Sequence, residues 1–162
     1  MRVYQRQGGW VIIATFVVAF VLTAVPVPEW AVSWRPSWMA LVLVYWCMEL
    51  PERVGIGMGW ALGLLLDALT GTLLGQHALA MSVTAYLAIK TRQRIRVFPL
   101  VQQVLVISFI FASYLLVMLF VNAMSGIPPQ DWSYAAPVLS SALIWPWLFA
   151  LLKKVRRRAH VS

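Results

Sequence analysis

Residues 50–79, LPERVGIGMGWALGLLLDALTGTLLGQHAL, place one carboxylate, Asp67, inside an otherwise apolar run. Gly55, Gly59 and Gly63 recur every four residues before it, and Gly71 and Gly75 follow it. Pro51 and Arg53 stand at the start of the stretch, and Gln76 and His77 come directly after the last glycine. A carboxylate is costly in hydrocarbon, so Asp67 is expected to face protein or a cavity rather than lipid. Small residues four apart on a membrane helix let another backbone come close. This is the stretch with specific chemistry, and the rest of the chain is expected to be arranged around it.

Working outward, the whole chain has the composition that such a stretch requires. Its 162 residues suffice for one domain, and they are 62% hydrophobic and only 11% charged. A soluble domain is nearer half apolar and a quarter charged, and long apolar runs with few charges read as membrane spans. The expected fold class is therefore an all-α polytopic membrane protein, with 1–162 forming a single transmembrane domain. The net charge of +8 would suggest nucleic acid in a soluble protein. Here it is concentrated beside spans, at Lys90, Arg92, Arg94 and Arg96 and at Lys153, Lys154, Arg156, Arg157 and Arg158. That placement fits cytoplasmic flanks that fix orientation and that can meet anionic headgroups. There is no soluble module to bind nucleic acid. The single cysteine, Cys47, lies within a span; it excludes an internal disulfide and reads as a buried structural thiol.

Six spans are expected, at about 10–25, 37–50, 54–69, 73–89, 100–124 and 133–152. The first has the basic start and apolar middle of a signal peptide. Pro26 and Pro28 occupy the region where a cleavage site would lie, so it is expected to be retained and to end there, because proline cannot continue the helical ladder. Residues 28–36 read as a loop with Trp30 and Trp34 at headgroup level. The second span, about 14 residues or roughly 21 Å long, is short for a hydrocarbon core of about 30 Å. It must extend into 34–36, be shielded by neighbours, or be re-entrant. Residues 90–96, KTRQRIR, read as a basic loop, and 125–132 as a polar turn. An even number of spans puts both termini on one side. Every Lys and Arg except Arg35 then falls on that side, Arg2, Arg6 and Arg53 included, which the positive-inside rule makes cytoplasmic.

Each candidate site has a structural and a functional reading. Asp67 either caps a neighbouring helix end or bonds across a helix pair, or it is a proton, cation or substrate contact. Glu49 is at the opposite, cytoplasmic rim, and no second acid lies near Asp67 in sequence, which disfavours a proton pump. His77 reads as a hydrogen-bonded histidine in a helix interface, able to reach toward the end of the Asp67 helix. A metal site would need two or three further ligands, and the other histidine, His160, is in the tail. Ser82, Ser108 and Ser113 are isolated helical hydroxyls of the kind that bond their own backbone. With no GxSxG and no paired acids, no enzyme is expected. The glycines pack helices together, within this chain or against another subunit.

The residues also resemble a known family. RPSWMALVLVYW at 35–46, then Pro-x-Arg, the Gly-Leu-x-x-Asp helix and Leu-Gly-x-His-Ala-Leu within 50–79, look like the MreD family of bacterial rod shape-determining membrane proteins. These motifs cover about 45 residues; length, span number and basic ends match over the whole chain. The resemblance implies a non-enzymatic scaffold of the cell-elongation complex in the bacterial inner membrane, without cofactors, supporting peptidoglycan synthesis and rod shape. It implies MreC as direct partner, with MreB, RodA and a class B penicillin-binding transpeptidase in the wider complex, and allows a homodimer. It also implies a fold similar to the six-helix substrate-binding subunits of energy-coupling-factor transporters. From that likeness comes the alternative function, a small-molecule-binding membrane subunit of a transporter. Such a subunit needs a polar-lined cavity, whereas the outer loops offer few polar groups besides Gln130 and Asp131.

Overall fold

The computed structural model of the chain describes residues 8–127 and 135–159. The basic start with Arg2 and Arg6, Gln130 and Asp131 of the outer turn, the beginning of the expected sixth span and His160 lie outside the described residues. The described residues form seven helices: α1 (Gly9–Ala24), a single turn α2 (Glu29–Val32), α3 (Trp38–Glu49), α4 (Ile56–Thr70), α5 (Gln76–Val97), α6 (Leu100–Met124) and α7 (Ala136–Arg158). Two of them, α6 and α7, are long and apolar enough on their own to cross a bilayer; α1, α3 and α4 are shorter apolar helices.

The packing centre is α3. Every residue from Met39 to Met48 is buried, with α1, α5 and α7 packed around it. At 12 residues it is about 18 Å long, too short to span alone, and its neighbours enclose it. Neighbours shield the second span, and its helix begins at Trp38 without extending into 34–36. Burial of this kind gains little hydrophobic free energy when the alternative is lipid; close packing and hydrogen bonds must hold the helix instead. Trp46 donates its indole N–H to Thr15 Oγ1 of α1 at 2.9 Å, and the Ser37 N–H donates to Ser141 Oγ of α7 at 3.2 Å. Tyr45 sets its ring edge-on to both Trp46 and Phe149. Cys47 is fully buried here.

This corrects one expectation. The stretch 50–79 is not the centre of packing: α4 lies against α5, with Trp60 and Leu65 exposed on its far side. What the stretch supplies is the tightest helix contact and the densest hydrogen bonding. A Cβ on Gly63 would stand 2.3 Å from Ala78 Cα, and one on Gly59 would stand 3.0 Å from the Met81 carbonyl oxygen. Both glycines therefore face α5 of the same chain. Gly55 meets only its own turn, at the Pro51 carbonyl.

The basic segments also differ from expectation. Residues 90–96 are not a loop but the last two turns of α5, and α7 runs on through Lys153 to Arg158. Lys, Arg and Gln are good helix formers, and cations at a helix C-terminus meet its negative dipole end. Pro137 sits in the first turn of α7, where its missing N–H costs nothing. Pro146 is accommodated within the helix.

Candidate functional site: the Asp67 knot and the cavity beside it

α4 ends where Gly71 adopts φ +68°, and α5 begins after Gly75 at φ +102°. Both are left-handed conformations that L side chains avoid, and together they fold the chain back within five residues. The turn brings the first N–H groups of α5, which have no partner within the helix, onto Asp67. Its Oδ2 accepts from the Gly75 N–H at 2.8 Å and more weakly from the Ala78 N–H at 3.4 Å. Its Oδ1 accepts from the His77 N–H at 2.9 Å, the Thr72 hydroxyl at 2.9 Å and His77 Nδ1 at 2.8 Å. Asp67 is 1% exposed. Among its two sequence readings the capping one is realised: a buried anion is held by the donors and positive dipole end of the next helix.

His77 reaches the end of the Asp67 helix, as its sequence position allows. Because Nδ1 faces a carboxylate, it carries the proton, and a neutral ring is left with Nε2 as an acceptor. Nε2 has no partner among the described residues. The Asp–His geometry is that of an oriented base. Among the described residues no serine or cysteine lies within hydrogen-bond reach of His77; the Thr72 hydroxyl lies 3.3 Å from Nδ1. Ser82, Ser108 and Ser113 bond the carbonyls of Ala78, Val104 and Phe109 in their own helices. No group of three His, Cys, Asp or Glu side chains comes together among the described residues.

Beside the knot is a cavity of about 440 Å³, walled by the end of α1, α2 and its connection to α3, the start of α3, the end of α4, the start of α5, α6 and α7. His77 and Tyr114 line it, their rings 6.4 Å apart, with Leu66, Phe111, Met118 and Val138 among its apolar wall. Arg35 is also in the wall. Its guanidinium donates to the carbonyls of Leu22, Thr23 and Val25 and so caps the C-terminus of α1, where a cation is favourable. Nearby, Gln76 donates its side-chain N–H to Asn122 Oδ1 at 2.7 Å, tying α5 to α6.

At the other end of the bundle, Glu49 closes α3. It pairs with Arg156 of α7 and, at 3.6 Å, with Arg96 of α5. Lys90 lies over the Tyr86 ring and Lys153 over Phe149. Pro51 and Arg53 form the turn after α3, where the Arg53 and Val54 N–H groups both donate to the Leu50 carbonyl. Sequence reasoning thus located Asp67, His77, Gly59, Gly63, Gly71 and Gly75 in one assembly, with the basic residues at its far end. It missed Thr72, Tyr114, Gln76–Asn122 and the roles of Arg35 and Glu49. The signal was there for two of these: Arg35 stands apart from the basic clusters in the sequence, and Glu49 closes the apolar run just before Pro51 and Arg53.

A bundle of apolar helices whose buried polar groups fasten one helix to another defines an α-helical membrane protein. The comparisons give the family. The sequence profile described as rod shape-determining protein MreD matches residues 4–155. The rod shape-determining protein MreD of Haemophilus influenzae is 37% identical over 151 residues, covering 93% of each chain. The chain belongs to the MreD family of rod shape-determining proteins. No solved structure matches it.

Proposed function

We propose that this chain is a non-enzymatic, multi-pass scaffold of the bacterial inner membrane that binds MreC and supports peptidoglycan synthesis during rod-shaped growth. MreB, RodA and a class B penicillin-binding transpeptidase complete the wider assembly. Membership of the rod-shape family is the observation that carries this reading. The use of polar groups agrees with it: Asp67, Glu49 and Arg35 each hold helix ends together.

The proposed topology has six crossings, by α1, α3, α4, α5, α6 and α7, with both termini cytoplasmic. The short α3 crosses inside the bundle rather than against lipid. Supporting this, the Glu49 end of α3 lies with Arg96 and Arg156, whereas Arg35 lies at the opposite end, by the C-terminus of α1. The likeness to energy-coupling-factor substrate-binding subunits remains part of this proposal and rests on the family resemblance.

Co-expression with MreC from the same organism in nanodiscs, followed by affinity purification and native mass spectrometry, tests the scaffold reading. A defined complex of fixed stoichiometry is expected. A chain that emerges alone, folded and free of MreC, would overturn it. Because Gly59 and Gly63 face α5, Gly63→Leu is expected to lose MreC only together with the fold.

A further inference from the structure

The geometry points to the cavity beside the Asp67 knot as a binding site for a single-chain amphiphile with a hydroxyl head, of the monoacylglycerol or long-chain alcohol class. Its volume of about 440 Å³ falls at the lower end of the range of small-molecule sites, which are mostly apolar with a few placed polar groups. The lining fits that description. Leu66, Phe111, Met118 and Val138 supply apolar wall, and His77 and Tyr114 are among its polar residues, where the Thr23 and Thr70 hydroxyls are already on carbonyls of their own helices.

The head group follows from hydrogen-bonding capacity. His77 Nδ1 donates to Asp67, so in the neutral ring Nε2 is the acceptor. The Tyr114 hydroxyl makes no hydrogen bond among the described residues, and neither atom is sealed inside protein. An acceptor beside a phenol matches a hydroxyl, which donates to one and accepts from the other. A phosphate has no proton for Nε2 at neutral pH and would approach the Asp67 carboxylate behind the ring. Arg35, the cation in the wall, turns its Nη2 onto the carbonyls of Leu22, Thr23 and Val25 at the end of α1. A vitamin-like polar solute fits poorly, because the wall is largely apolar. A lipidic body with one hydroxyl meets both halves of the lining. The site is independent of MreC binding and adds a ligand to the proposed scaffold.

The test uses the full chain in phosphatidylethanolamine–phosphatidylglycerol nanodiscs with a diazirine-bearing hexadecanol as photoprobe. Saturable labelling is expected, mapping to α6 and α7 and competed by monopalmitoylglycerol but not by hexadecyl phosphate. Met118→Trp, which fills the cavity, is expected to cut labelling at least tenfold. Tyr114→Phe, which keeps the ring, is expected to weaken probe affinity about fivefold, the loss of one hydrogen bond. Size-exclusion and circular dichroism confirm that each variant is folded, and Leu115→Trp replaces Met118→Trp if the latter is not. Non-saturable labelling, labelling unchanged by the filled cavity, or equal competition by hexadecyl phosphate would each overturn the assignment.

Discussion

At the residue scale, Asp67 shows what an acid in an apolar helix can be for. Its two oxygens take three backbone N–H groups, one hydroxyl and one imidazole, so ionisation is supported without a metal or a second acid. Asp67→Asn places an amide N–H₂ among these donors, and it is expected to cost about 3 kcal/mol, the range for charged hydrogen bonds plus a buried unmet donor. Thr72→Val removes one donor only and is expected to cost about 1 kcal/mol. Thermal unfolding in detergent, followed by circular dichroism, checks the order; equal melting temperatures for the two variants would contradict it. Asp67 was legible in sequence as an acid needing partners. Which partners it takes was not, because they are mostly backbone groups that become donors only once the Gly71–Gly75 turn exists. Glu49 makes the companion case. Arg156 is 29% exposed and Arg96 49%, so a double-mutant cycle for Glu49–Arg156 is expected to give a coupling of about 1–2 kcal/mol. Glu49–Arg96 should give a few tenths at most, because solvent screens it.

At the element scale, the α4–α5 contact is set by glycine. The space available at each position grades the expected damage. Gly63→Ala drives a Cβ into Ala78 backbone and is expected to cost about 2–3 kcal/mol as an overpacking change. Gly59→Ala presses on the Met81 carbonyl at 3.0 Å and should cost less. Gly57→Ala, with nothing within 4 Å, should change stability by about 0.5 kcal/mol or less in either direction. Melting temperatures should fall in that order, and a Gly57 variant as damaged as Gly63→Ala would show that α4 packs on a different face. Spacing alone put Gly55, Gly59 and Gly63 in one stripe, and could not say whether the stripe served this chain or another. The same limit applied to α3. Its apolar run is uniform, so no periodicity marks one face as buried, and only its neighbours make it the core. The α6 boundaries were read correctly from an uninterrupted apolar run. Residues 90–96 were misread as a loop because polarity marks the membrane edge, whereas helix propensity, which those residues possess, decides where a helix stops.

At the scale of the whole molecule, charge is sorted along the bundle. The ends of α5 and α7 carry the dense basic clusters, Glu49 draws Arg96 and Arg156 together there, and among the described residues Arg35 is the one Lys or Arg at the far end. The sequence made this sorting visible because membrane orientation depends on a count of Lys and Arg near span ends, not on contacts. The family was equally legible, since its motifs are runs of sequence, at 35–46 and within 50–79, that are read without the fold. The cavity was not legible: its wall is drawn from all seven helices, and among its polar residues it sets His77 beside Tyr114, 37 positions later.

The central claim is that the chain crosses the membrane six times with its basic end in the cytoplasm. Cysteine accessibility in intact spheroplasts tests it most directly. Cys47→Ala supplies the background, and single cysteines are placed at Glu29→Cys in α2 and Gln93→Cys near the end of α5. A membrane-impermeant maleimide is expected to label Glu29→Cys in intact cells and Gln93→Cys only after permeabilisation. Labelling of both from the same side, or of Gln93→Cys alone in intact cells, would contradict the topology and with it the arrangement of the scaffold.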